Sequence, residues 1–214
     1  MRRRIIFWRH GRTPWNAEQR FQGQTDIALD DVGIGQAARA AKSLAKLHPS
    51  RIVSSDLMRA KSTADALGAI TGLTVETDPG LRETFAGEWE GLTRTELEER
   101  FPGEMSVWSA ESLARPGGGE NRLEVAERMV AVVDRVLPQL EEGQTLVIAT
   151  HGGAARAAIG ALLELPPDHW AALGVLTNCA WSVLQENSSD YGPAWRLQEY
   201  NAISLPVEAL ADDK

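Results

Sequence analysis

Arg4-Ile5-Ile6-Phe7-Trp8-Arg9-His10-Gly11 opens the chain, and Thr145-Leu146-Val147-Ile148-Ala149-Thr150-His151-Gly152-Gly153 repeats its plan near the other end. Each is a short, unbroken apolar run closed by His-Gly. Such a run suits a strand buried on both faces, as in a parallel sheet. Between them strands and helices alternate. A helix is predicted over 31–47, with Ile34, Ala37, Ala38, Ala41, Leu44 and Ala45 at helical spacing and Pro49 as its stop. A strand follows at 51–54, then a helix from Asp56 carrying Leu57, Ala60, Ala64 and Leu67. A weaker strand at 75–77 leads to Leu81-Arg82-Glu83. A long helix spans 121–137, with Leu123, Ala126, Met129, Val130, Val133 and Val136 in step, and another spans 154–163. Alternating stretches at 180–184 and 195–200 read as strands around a turn at 188–193.

This order predicts an α/β fold: three layers, α/β/α, with a mostly parallel central sheet and helices on both faces. The 214 residues suit one domain. Within it, 87–119 reads as a polar, cap-like insertion with a short helix near 93–101, and 207–214 as a loose tail. The single Cys179 excludes an internal disulfide and fits a reducing cytoplasm. Neither a secretory signal nor a stretch of the roughly 20 apolar residues that span a bilayer is present.

The formal net charge of −8 disfavours nucleic acid and anionic membranes as partners. The charge is unevenly placed: the first twelve residues carry Arg2, Arg3, Arg4, Arg9 and Arg12 without an acid. Arg2 to Arg4 read as the solvated start of the first strand.

Ligands of α/β sheets sit at the carboxyl ends of the strands. There the first strand delivers Arg9-His10-Gly11, the second Ser54-Ser55-Asp56 followed by Arg59, and the apolar strand near the end Thr150-His151-Gly152-Gly153. Two histidines, two arginines and helix N-termini on one sheet edge make an anion pocket in an acidic protein. Arginine forks suit phosphate. A neutral imidazole can attack phosphorus, and Glu83, just past the third strand, is placed to protonate a leaving alkoxide. A single His beside Gly is more often structural; two at parallel strand ends with paired Arg are not so readily dismissed. His48 and His169 read as loop residues and Trp108, Trp170, Trp181 and Trp195 as packing. Pro116-Gly117-Gly118-Gly119 lacks the Gly-Lys-Ser/Thr of a phosphate loop and reads as a flexible entry to the long helix. No metal-ligand pattern is present.

Arg9-His10-Gly11-Arg12-Thr13, with Trp15-Asn16 and Arg20-Phe21-Gln22-Gly23, resembles the opening signature of the histidine phosphatase superfamily, which includes phosphoglycerate mutases. Ser54-Ser55-Asp56-Leu57-x-Arg59-Ala60-x-x-Thr63-Ala64, Leu81-Arg82-Glu83 and Thr150-His151-Gly152-Gly153 resemble its later motifs, in the family's order. The resemblance implies a phosphoglycerate mutase-like fold and a metal-independent phosphomonoesterase without cofactor. His10 would be the phosphorylated nucleophile. Arg9, Arg59 and His151 would clamp the phosphoryl group with Asn16, Glu83 would act as acid and base, and Gln22, Gly23 and Gly152 would line the substrate and phosphate site. Family mutases follow the Glu with Arg-His-Tyr-Gly, whereas this chain has Thr84-Phe85-Ala86-Gly87-Glu88-Trp89; it also has Gln24-Thr25-Asp26 where mutases place Trp-x-Asp. Both favour water as acceptor over a 2,3-bisphosphoglycerate-dependent mutase reaction, the alternative activity. A non-catalytic phospholigand-binding protein is the alternative of another class. Leu81-Arg82-Glu83-Thr84, Gly118-Gly119-Glu120-x-Arg122 and residues 165–174 resemble the actinobacterial glucosyl-3-phosphoglycerate phosphatases. The expectation is a cytoplasmic enzyme for a small anionic phosphorylated metabolite, with apolar helices and Trp-bearing C-terminal strands that would support a homodimer.

Overall fold

A computed structural model of the chain describes residues 2–187 and 192–204. The expected tail at 207–214 and most of the turn at 188–193 lie outside the described residues. Six strands form one sheet: β1 (Arg4–Arg9), β2 (Arg51–Ser54), β3 (Val75–Thr77), β4 (Thr145–Thr150), β5 (Trp181–Glu186) and β6 (Trp195–Ala202). Their order is β3-β2-β4-β1-β5-β6. The first four run parallel, whereas β5 is antiparallel to both β1 and β6. The sheet is therefore mixed, with only β5 reversed.

Among the described residues seven α-helices accompany it: α1 (Pro14–Ala17), α2 (Asp31–Ala45), α3 (Met58–Thr71), α4 (Arg94–Arg100), α5 (Glu104–Ala110), α6 (Arg122–Val136) and α7 (Gly152–Leu162). The alternation of side chains along each strand divides them between two faces. Ile5, Phe7, Val53, Leu146 and Ile148 pack with Val125, Met129 and Val133 of α6 and Ala154 and Ala158 of α7. Ile6, Trp8, Ile52, Val147 and Ala149 pack with Ala37, Ala41 and Leu44 of α2 and Ala64 and Leu67 of α3. A central strand buried on both sides must be apolar throughout, which is why β1 and β4 carry no polar interior residue. Ile34 and Leu123, expected on those apolar faces, are exposed; each lies in the first turn of its helix.

The 87–119 segment contributes most of a third, smaller hydrophobic cluster. Its predicted helix is α4, whose cap Thr93 and Glu96 form a reciprocal capping box. The second helix, α5, has no counterpart among the sequence expectations. Trp89 and Leu97 are its buried centre, and Phe21, Trp89 and Trp108 meet edge-on at 5.4–5.8 Å between centroids. The glycine run at 117–119 is not a loose entry to α6. A Cβ on Gly119 would lie 1.8 Å from the Phe85 carbonyl oxygen, and one on Gly117 2.4 Å from that of Ala86. Two backbones cross there with no room for a side chain.

Arg3 is also not a solvated strand start. Its guanidinium grips Glu186 at the end of β5 and donates to the Leu137 carbonyl, fastening β1 to its antiparallel neighbour and to the end of α6. Arg12 pairs with Asp30, the N-cap of α2, and so serves the frame and not the strand-end pocket.

Gly119→Ala tests the backbone crossing. It should destabilise the protein by about 1–3 kcal/mol in urea unfolding, as an overpacked site does, whereas Gly174→Ala, with open space at its Cβ and no left-handed φ, should cost less.

Candidate active site

The register of β1 on β4 pairs Arg9 with Thr150. The next residue on each strand, His10 and His151, therefore leaves the sheet at the same level, and the two rings meet edge-on at 5.1 Å. β2 pairs Ser54 with Ala149 beside them, so Ser55 and the first turn of α3, with Arg59, reach the same corner.

Each imidazole has a defined proton. His10 Nδ1 lies 2.7 Å from the Gly11 carbonyl, which can only accept, so Nδ1 carries the hydrogen. Burial first, then the Arg59 and Arg9 charges, hold His10 well below the usual histidine range. The ring is neutral, and Nε2 keeps its lone pair. Arg59 Nε donates to His151 Nδ1 at 3.2 Å, which leaves the proton of His151 on Nε2, 2.9 Å from Ser55 Oγ. Burial, followed by Arg59, keeps His151 neutral as well.

Arg59 is fully buried, and its hydrogen-bond partners among the described residues are neutral. Its Nη1 donates to the Thr25 carbonyl at 2.8 Å and its Nη2 to that of Gly23 at 2.7 Å. Burial lowers it to about 10, which leaves it cationic at neutral pH. Arg9 donates to the Leu176 carbonyl, and its buried Nε has no acceptor among the described residues. Glu83 sits at the N-terminus of α7: Oε2 accepts from Gly153 N at 3.0 Å and Oε1 from Ala154 N at 2.9 Å. These bonds begin α7 at Gly152, two residues ahead of the sequence expectation.

The glycine pair after His151 has a steric cause. A Cβ on Gly152 would strike Val175 at 2.6 Å and press on Arg9, and one on Gly153 would lie 2.8 Å from Glu83 Oε1. Gly152 makes room for Arg9. The cavity at the strand ends is lined by His10 and Arg59, with Gly152 and the fully buried His151 directly behind them.

A cavity of about 210 Å³ opens at these strand ends. Arg9, His10, Asn16, Gln22, Gly23, Arg59 and Glu83 all line it, joined by Arg20, Arg122 and Arg156. Glu83 is the one carboxylate among five arginines in that lining. Asn16 Oδ1 is fixed by Thr13 N and by Asn178 Nδ2, which leaves its own NH₂ group to face a ligand. Gln22 Oε1 accepts from Thr13 Oγ1 at 3.0 Å, with the same result. His48 and His169 stand outside the lining. Cys179 is buried, and burial pushes its thiol up to about 12, so it is no competing nucleophile.

The Histidine phosphatase superfamily (branch 1) matches residues 5–202. The chain belongs to that superfamily. It is a phosphoric monoester hydrolase of the phosphoglycerate mutase-like fold. It is 40% identical over 213 residues to the glucosyl-3-phosphoglycerate phosphatase of Mycolicibacterium vanbaalenii, covering 94% of this chain and 95% of that one. The enzyme of the same name from Mycobacterium tuberculosis is also 40% identical, over 211 residues and the same shares. The structure of a mycobacterial glucosyl-3-phosphoglycerate phosphatase in complex with VO3 superposes with a TM-score of 0.88 at 39% identity, over 94% of this chain and 100% of that one.

Two supporting residues, Glu90 and Arg128, went unseen in the sequence, and Ser55 was noted at its strand end without a role. Glu90 accepts from the amides of Gln24, Thr25 and Ala86 and so holds the loop whose carbonyls grip Arg59. Arg128 donates to the carbonyls of Gly80, Arg82 and Glu83 and pairs with Glu120, fixing the backbone that presents Glu83. Ser55 orients His151. Only Arg128 left a signal: it interrupts the buried face of α6 between Val125, Met129 and Val132.

Glu90→Ala should lower kcat/KM and the affinity for inorganic phosphate about tenfold each, the scale of a lost charge-assisted hydrogen bond. Steady-state kinetics and phosphate titration of a variant with unchanged circular dichroism check it. The neutral histidines fix a second expectation. The unfolded chain's histidines protonate near 6.5 whereas His10 and His151 do so only well below it, so unfolding takes up protons. Stability is therefore complete above about pH 6.5 and falls progressively below it, until the depressed native values are passed. His10→Gln should flatten part of that loss in Tm measured between pH 7.5 and 5.5.

Proposed function

We propose that the chain hydrolyses a glucosyl-3-phosphoglycerate-type phosphomonoester through a phosphohistidine on His10, without metal or cofactor. The observation that carries the mechanism is the neutral His10, with its proton on Nδ1 and its Nε2 free at the cavity wall. Nε2 attacks phosphorus, and the bond to the ester oxygen breaks. Arg9 and Arg59 take the charge gathering on the equatorial oxygens, Arg9 through the Nε that has no acceptor among the described residues. The NH₂ groups of Asn16 and Gln22 and the edge of the site at Gly23 hold the phosphoryl group and substrate from the other side. His151 keeps Arg59 in place from within. The Glu83 carboxylate takes a proton from the substrate's monoanionic phosphoryl group and passes it to the departing alkoxide, then takes one from water as that water attacks the phosphohistidine and returns it to the phosphate. Inorganic phosphate leaves, and His10 is restored.

Water is favoured as acceptor because residues 84–89 bring no cationic side chain to the cavity; only Thr84 and Ala86 of that stretch line it. The substrate class is supported by the 40% identity to two enzymes named for it. Trp108 and Phe21, carried over the site by the 87–119 cap and the loop it docks on, give an aromatic wall against which a sugar ring can lie. No helix among the described residues is long and apolar enough to cross a membrane; with its lone Cys179, the enzyme is assigned to a reducing cytoplasm. β6, at the open edge of the sheet, is the surface through which two copies would pair as a homodimer.

Rapid base quench of enzyme mixed with substrate should trap an acid-labile phosphoryl group on His10. His10→Ala should lose it and at least about 10³-fold in kcat, and EDTA should leave turnover intact. Full turnover by His10→Ala, or loss of turnover in EDTA, would refute the mechanism.

A further inference from the structure

Away from His10, the cavity contains a second pair of arginines, which the phosphoryl chemistry does not use. Arg122 is the first residue of α6, and Arg156 stands on α7. Both line the cavity. Arg122 is held firmly: Nη2 donates to the Trp108 carbonyl at 2.6 Å, and its guanidinium lies 5.3 Å from the centroid of the Trp108 ring. Its Nε is buried with no acceptor among the described residues. Arg156 makes no hydrogen bond or ion pair among the described residues. The two cations repel one another, and burial adds to the cost of Arg122's charge. Nearby carboxylates are occupied elsewhere: Glu120 by Arg128, Glu124 by Arg115 and Glu83 by the α7 amides. Two neighbouring arginines without an anion, one with a buried unsatisfied donor, are costly unless a ligand supplies the missing charge.

The helix says which part of the substrate carries that charge. Gly153, Arg156 and Ala157 share the cavity face of α7. Gly153 N holds Glu83, and Arg156 is one turn further, about 4.5 Å along the axis. On the reading above, Glu83 faces the leaving oxygen, so Arg156 faces the alcohol that departs. We infer that Arg122 and Arg156 form a second oxyanion subsite, which selects phosphomonoesters whose leaving alcohol carries a carboxylate. Two planar guanidinium forks offer the bidentate geometry that a carboxylate takes. The aromatic wall of Trp108, already stacked on Arg122, continues the subsite toward bulkier groups on the same alcohol. This inference rests on the phosphatase reading and adds a recognition rule to it.

The test compares 3-phosphoglycerate with glycerol 3-phosphate, which carries a hydroxymethyl group where the former carries its carboxylate. Wild-type enzyme should prefer 3-phosphoglycerate in kcat/KM by at least about tenfold. Arg156→Gln and Arg122→Gln should each collapse that ratio toward one, chiefly through KM for the acid. The ratio is insensitive to any fraction of misfolded variant, which lowers both rates alike. A wild-type enzyme indifferent to the carboxylate, or a ratio that survives both substitutions, overturns the subsite while leaving the phosphatase standing. Failure to release phosphate from any phosphomonoester overturns both.

Discussion

The buried guanidinium of Arg59 is the group around which the rest of the site is arranged. Removing a cation from water costs several kcal/mol unless its donors are satisfied. A carboxylate partner would satisfy them, but it would also cancel the charge that a phosphoryl group needs. The chain instead offers two carbonyls, from Gly23 and Thr25, and a neutral imidazole, His151. Dipoles without net charge solvate the cation and leave its field intact. That choice has consequences at a distance. The loop carrying the carbonyls needs its own anchor, which is Glu90, and His151 needs a fixed tautomer, which is set by Ser55. Burial, with the same field added, keeps His10 unprotonated.

Glu83 shows the complementary solution for the one negative group. It is held by the first-turn amides of α7 rather than by an arginine. An ion pair would have taken Arg9 or Arg59 out of service. The helix terminus offers partial positive charge and directional donors without consuming a side chain. The cost falls on the sequence, because both positions after His151 must then be glycine: Gly153 to admit the carboxylate and Gly152 to admit Arg9.

The strands were legible because burial on both faces demands unbroken apolar runs, and the register of β1 on β4 follows from them. With it came the meeting of His10, His151 and Arg59 at one sheet edge. Helix bodies were legible for the same reason, but their ends were less so. α7 starts at Gly152 because of a carboxylate nearly seventy positions earlier in the chain, and no local signal records that partner. α5 escaped notice because a seven-residue helix is held by the aromatic cluster of Phe21, Trp89 and Trp108 rather than by its own periodicity. Glu90 and Ser55 act through hydrogen bonds to groups on distant segments, which composition and spacing do not encode. Arg128 is different in kind. A charge on the apolar face of an amphipathic helix breaks a pattern, and the break marks a buried acceptor set.

The opposition between global and local charge follows from this construction. A net charge of −8 sets a far field that disfavours polyanions. Inside the cleft, salt and water screen poorly, and five arginines outweigh a single glutamate. A small anion that enters exchanges a repulsive surface for an attractive interior. A long one cannot, since most of its charges would remain outside against the acidic surface. Size selection of this kind needs no steric gate: it results from confining the positive charge to the carboxyl edge of the sheet, where the fold delivers Arg9, Arg59 and Arg156 from three separate elements to one cavity.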